Sequence, residues 1–134
     1  MAKHHDALIY IMVLASASDR DMTNAELREI GEIVRFLPVF KGFDADSIPK
    51  VAGACARLLQ DANGLDKALR FIKKSLPPKL RETGYAIACD VVAADKRASQ
   101  EELRLLEMLR DRLDLDPLVA AAIERGSRAR HMRA

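Results

Sequence analysis

The sequence predicts an all-α, single-domain bundle of about seven helices. Three observations carry that expectation: apolar residues recur at helical spacing along the chain, two S/T-x-x-E segments open helices, and those segments belong to an internal repeat. A length of 134 residues is that of one common domain with one core. Hydrophobic residues make up 49% and charged residues 31%, an ordinary balance for a folded chain with no low-complexity bias. Aromatics are only 4% and Trp is absent, so Ala, Leu, Ile and Val must fill the interior. The supply of Ala, Leu, Arg, Lys and Glu favours helix over strand.

Leu8, Ile11, Met12, Leu14 and Ala15 predict a first helix from Lys3 to about Ser18. The polar stretch from Asp19 to Met22 ends it. Thr23-Asn24-Ala25-Glu26 has the form of a capping box, and Leu27, Ile30, Ile33, Val34 and Leu37 continue a second helix from Asn24 to about Phe36. Pro38 and Gly42 break the pattern. Asp46 or Ser47 ahead of Pro49 opens a third helix, expected to stop near Asn63-Gly64. A fourth runs from Leu65 to Leu76 and ends at Pro77-Pro78, because a residue before proline is pushed out of the helical region. A fifth follows from Lys79 to Ala94. The second capping box, Ser99-Gln100-Glu101-Glu102, opens a sixth helix through Leu103, Leu106, Leu109 and Leu113. A short seventh is expected from Pro117 to Glu124. The segment from Gly126 onward has no apolar period and is expected to fray, giving a helical domain over 1–125 and a basic tail over 126–134.

The apolar run from Ala7 to Ala15, preceded by Lys3-His4-His5 and followed by Ser16-Ala17, also has the outline of a short secretory leader. Two features favour a helix of the mature fold: the single Lys is offset by Asp6, and the run is half of the repeat. The run is shorter than the ~20 residues a bilayer span needs.

A shift of 76 positions lays Ala17 to Arg28 on Ala93 to Arg104. Ala, Asp, Glu, Leu and Arg match outright, while Arg20/Lys96, Thr23/Ser99 and Asn24/Gln100 match in kind. The correspondence extends to Ile11/Ile87, Ile30/Leu106, Ile33/Leu109 and Leu37/Leu113, so core periodicity is shared as well. Two helix-loop-helix units related by a pseudo-two-fold are the simplest arrangement that buries both apolar faces.

At these residues the sequence resembles the TerB family. Its halves carry an Ala-rich helix, an acidic A-D-G-like turn, and S/T-x-x-E at the start of the next helix. The resemblance covers about Ala7 to Asp116. It implies a seven-helix bundle linked with tellurite and stress resistance, with divalent metal held at acidic positions. Carried over, those positions are Asp19 and Glu26 in the first half, and Asp95 and Glu102 in the second. The turn lacks the family's glycine: Asp21 and Arg97 stand in its place, and Arg97 sets a cation beside the second group.

Each candidate also has a structural reading. A capping-box Glu reaches back to a backbone N–H at the positive end of its helix, which accounts for Glu26 and Glu102 without a metal. Asp19 and Asp95 follow a helix C-terminus, where a carboxylate opposes the dipole unless a cation or a donor compensates. Asp19, Asp21 and Glu26 together supply the hard oxygen atoms that calcium or magnesium prefers, but Ile30 stands where an EF-hand loop needs its bidentate Glu. Asp90 lies inside the apolar run Ile87 to Val92: facing inward it must be paired or bound to metal, and facing outward it is simply solvated.

Adjacent His4 and His5 point in different helix directions and read as an exposed, frayed start. Cys55 and Cys89 sit among small apolar residues without CxxC spacing and read as buried fillers suited to a reducing cytosol. No phosphate loop, G-x-S-x-G elbow or H-E-x-x-H occurs, so no nucleophile and base pair marks an enzyme. Arg125, Arg128, Arg130 and Arg133 crowd the last ten residues, and without them acids outnumber bases. The body therefore lacks the basic face that nucleic acid requires. The expectation is a cytoplasmic, non-catalytic module that takes calcium, magnesium or zinc, with protein partners that include membrane-associated stress proteins. Its rival is a metal-independent adaptor whose acids only cap helices.

Overall fold

A computed structural model describes residues 3–16, 24–94 and 99–134. Among these residues seven helices form a bundle: α1 (Lys3–Ser16), α2 (Asn24–Phe36), α3 (Ile48–Leu59), α4 (Gly64–Ser75), α5 (Arg81–Ala94), α6 (Gln100–Arg112) and α7 (Pro117–Arg130). Short 3-10 turns at Pro38–Phe40, Ala45–Ser47 and Pro78–Leu80 join some of them, and no strand occurs among the described residues.

α1 is the hub. Ala7, Leu8, Ile9, Ile11, Met12 and Val13 are completely buried, which is the fate of a helix that is apolar on every side. Burying each of its larger side chains contributes about 1.5–3 kcal/mol. α3 and α4 pack on α1, α5 lies alongside it, and α7 packs on α5. α5 is nearly as apolar as α1, and the close crossing of the two leaves little room at Gly84: a Cβ there would meet the flexible ends of Ile11 (Cδ1) and Leu76 (Cδ2) at 3.0 Å. The corner from α3 to α4 is tighter still. Asn63 adopts a left-handed conformation (φ 61°), and a Cβ on Gly64 would lie 2.3 Å from the Leu58 carbonyl oxygen. Consequently α3 ends at Leu59, short of the Asn63-Gly64 that the sequence suggested, and residues 60–63 form the turn.

Two further expectations are corrected. The stretch after Glu124 does not fray, for α7 continues to Arg130. Ala120, Ile123 and Ser127 form the stripe that faces the bundle, and Ser127 is only 2% exposed. The Ser127 hydroxyl donates to Asp90 Oδ1 at 2.8 Å, and Arg130 Nη2 donates to the same oxygen at 2.7 Å. No apolar period signals this stretch because its anchors are polar. The boundary between a domain over 1–125 and a tail over 126–134 therefore falls inside one helix.

His5 is the second correction. Rather than an exposed start it is buried, with Nε2 2.8 Å from the Val39 carbonyl oxygen. A carbonyl oxygen only accepts, so Nε2 carries the proton. The ring stacks on Phe40 at 5.7 Å and meets Phe43 edge-on at 5.2 Å. These partners are brought in by the 3-10 turn after α2, far along the chain from His5. Cys55 and Cys89 are free and buried, as expected.

Candidate functional site

The C-terminal ends of α1 and α5 and the N-terminal turns of α2 and α6 surround one cleft of about 330 Å³. Ala15, Ser16, Val91 and Ala94 form its apolar and small-residue walls, and Glu26, Glu29 and Glu102 line it with carboxylates. Ala15 and Val91, like Glu26 and Glu102, stand 76 positions apart, so corresponding residues of both sequence halves face the same space.

The local chemistry explains why the acids stand at these helix ends. The four leading N–H groups of a helix lack partners and carry partial positive charge, which favours a carboxylate in the first turn. At α6 this is a complete capping box: the Ser99 hydroxyl oxygen accepts from the Glu102 backbone N–H at 3.1 Å, and Glu102 Oε1 accepts from the Ser99 N–H at 3.1 Å. Glu102 is consequently held with only 8% of its surface exposed.

Of the six residues singled out in the sequence, Glu26 and Glu102 thus share a cleft. Asp19, Asp21 and Asp95 lie outside the described residues, as does Thr23, the expected cap of α2. They belong to the segments that follow Ser16 and Ala94, both of which line the cleft. Asp90 faces elsewhere and is engaged by Ser127 and Arg130. Glu29 was not singled out, although it follows Glu26 by three positions and so shares its helix face. The repeat hid it, because its counterpart is Leu105. Among the described residues no group of three His, Cys, Asp or Glu side chains is arranged to hold a metal ion.

The thiols belong to a different environment. Burial pushes Cys55 up to about 12 and Cys89 up to about 11, so both are protonated and weakly nucleophilic at neutral pH. No helix among the described residues is long and apolar enough to cross a membrane.

A protein-family model described as tellurite resistance protein TerB matches residues 5–125. Comparison with curated proteins and with solved structures found no match.

Proposed function

The chain belongs to the TerB tellurite-resistance family, and on that premise we propose that it is a non-catalytic cytoplasmic module whose acidic cleft takes up one divalent cation in tellurite and stress resistance. The observation that supports this reading is the gathering of Glu26, Glu29 and Glu102 around one space. The donor set is oxygen only, which suits calcium or magnesium; zinc ordinarily recruits His or Cys, and none lines the cleft.

Asp19, Asp21 and Asp95 are the acids that would complete the coordination shell. The first segment offers two of them beside Arg20, whereas the second sets Asp95 beside Lys96 and Arg97. Binding is therefore dominated by the first half. A cation held by both halves would stiffen the junction of α1 and α2 with α5 and α6, and so alter the surface offered to a protein partner, membrane-associated stress proteins included.

One observation favours the rival adaptor reading: Glu102 already serves a backbone N–H. Calorimetric titration of the purified protein with calcium, magnesium and zinc separates the two. Saturable uptake of one ion, abolished by Asp19→Asn and only weakened by Asp95→Asn, is the expected result. Flat traces for all three ions would leave the acids as caps and the protein as a metal-independent adaptor.

A further inference from the structure

α6 and α7 both lie on α5 while their backbones stay apart, and a second cleft of about 590 Å³ opens between them. It shares no lining residue with the acidic cleft. Its floor is the Cys89, Val92 and Ala93 face of α5, and its sides carry Leu103, Leu106 and Met132. Leu103 is 49% and Met132 67% exposed, a costly placement for large apolar side chains unless something covers them. The volume lies within the ~300–1,000 Å³ typical of small-molecule sites, which are apolar with a few convergent polar groups.

The polar groups here have a definite balance. The Tyr85 hydroxyl donates to Glu124 Oε2 at 2.6 Å, and Arg110 Nη1 donates to the same oxygen at 3.1 Å. Glu124 is thereby neutralised and also locks α5, α6 and α7 together across the cleft. Glu107, the other acid in the lining, stands 3.5 Å from Arg104. Arg128 and His131 lie on the α7 side, and Arg128 has no ion-pair partner among the described residues. Arg125 and Arg133 flank it in sequence with no acid between them. An apolar trough with paired acids and an uncompensated cation at its edge is complementary to an aliphatic chain that ends in an anion.

We propose that this cleft binds a monomeric anionic amphiphile of the fatty-carboxylate class, its chain against Val92, Ala93, Leu103 and Leu106 and its head group at Arg128. The same chemistry is available from a free carboxylate or from an anionic lipid in a bilayer, and the cleft is assigned to the free form because its apolar floor is recessed between two helices. The test is titration of the whole protein with dodecanoate below its micellar range, with dodecanol, and with phosphatidylglycerol vesicles. All are run in excess chelator, so that the outcome is independent of the acidic cleft.

Saturable one-to-one dodecanoate binding is expected, several-fold tighter than dodecanol. Ala93→Phe should abolish it by filling the floor. Leu103→Gln, on the exposed rim where folding is not at stake, should weaken it several-fold. Arg128→Gln should weaken dodecanoate while leaving dodecanol unchanged. Equal affinity for dodecanol, indifference to Ala93→Phe and Leu103→Gln, or binding to vesicles without binding to dodecanoate would each overturn the assignment.

Discussion

The two clefts share α5 and α6 as walls yet differ in almost every other respect. The acidic one is smaller and draws on corresponding residues of both sequence halves; the apolar one is larger and belongs to the second half alone. Position by position, α1 and α5 explain the difference. Asp90 corresponds to Leu14, Tyr85 to Ile9 and Cys89 to Val13. In α1 these positions are plain core, completely buried or nearly so. In α5 they carry the polar and sulfur atoms on which α7 docks: Asp90 takes Ser127 and Arg130, and Tyr85 takes Glu124. The helix at the centre of the bundle is thus apolar at positions where α5, which also meets α7, is polar.

The strongest way to break this comparison is to give α5 the residue of α1. Asp90→Leu should remove both anchors of the C-terminal part of α7 and leave the buried Ser127 hydroxyl without its partner. A loss of about 1–3 kcal/mol is expected in a denaturant melt. An unchanged midpoint would mean that α7 is held by its apolar stripe alone.

A smaller effect tests whether the halves begin their second helices alike. Ser99→Ala removes the cap of α6 and should cost about 0.5–2 kcal/mol. Thr23→Ala should match it if the first repeat is capped in the same way. A melt showing loss for Ser99→Ala alone would confine the capping box to the second half.

Glu102→Gln sharpens the division between structural and chemical roles. Gln still accepts the Ser99 N–H, so stability should hold to within a few tenths of a kcal/mol. Cation affinity in a calorimeter should nonetheless fall, since the acidic cleft loses a charge. Equal affinity for the variant and the parent would assign Glu102 to capping only.

The smallest effect lies on the seam between α4 and α6, outside both clefts. Hydrogen bonding from the Arg112 guanidinium, reinforced by the charges of Arg70 and Arg112, holds the Asp66 carboxyl below its ordinary value. Its folded-state value is therefore lower than its unfolded one. The stabilisation is fully present above the ordinary carboxylate range and is lost as pH falls through the depressed folded value. The pair is exposed and the gain small, so Asp66→Asn should lower the thermal midpoint slightly at neutral pH and not at all in strong acid. A difference that persists in acid would assign the effect to packing.

How much of this was legible in the sequence varies with the kind of interaction. The helices α2, α5 and α6 begin or end close to where capping boxes, proline and apolar spacing place them, because those signals act within a turn or two of chain. The acidic cleft was half legible. Glu26 and Glu102 carry a local motif twice over, whereas Glu29 has a leucine for its counterpart and becomes notable only when α1, α2, α5 and α6 meet. His5 was misread and Asp90 left open for a related reason: a side chain's partner 34 or 37 positions away leaves no trace in its own neighbourhood.

The sequence by itself determined an all-α chain, its family and the crowding of arginines near its end. Each of these depends on periodicity, composition or a short motif, which are properties of nearby residues. Only the tertiary structure decided that the basic segment is the end of a packed helix, that His5 is a core residue, and that a wide apolar cleft lies beside the acidic one. Those outcomes depend on which distant groups are brought within hydrogen-bonding or van der Waals range, as α6 and α7 are by packing on the common α5.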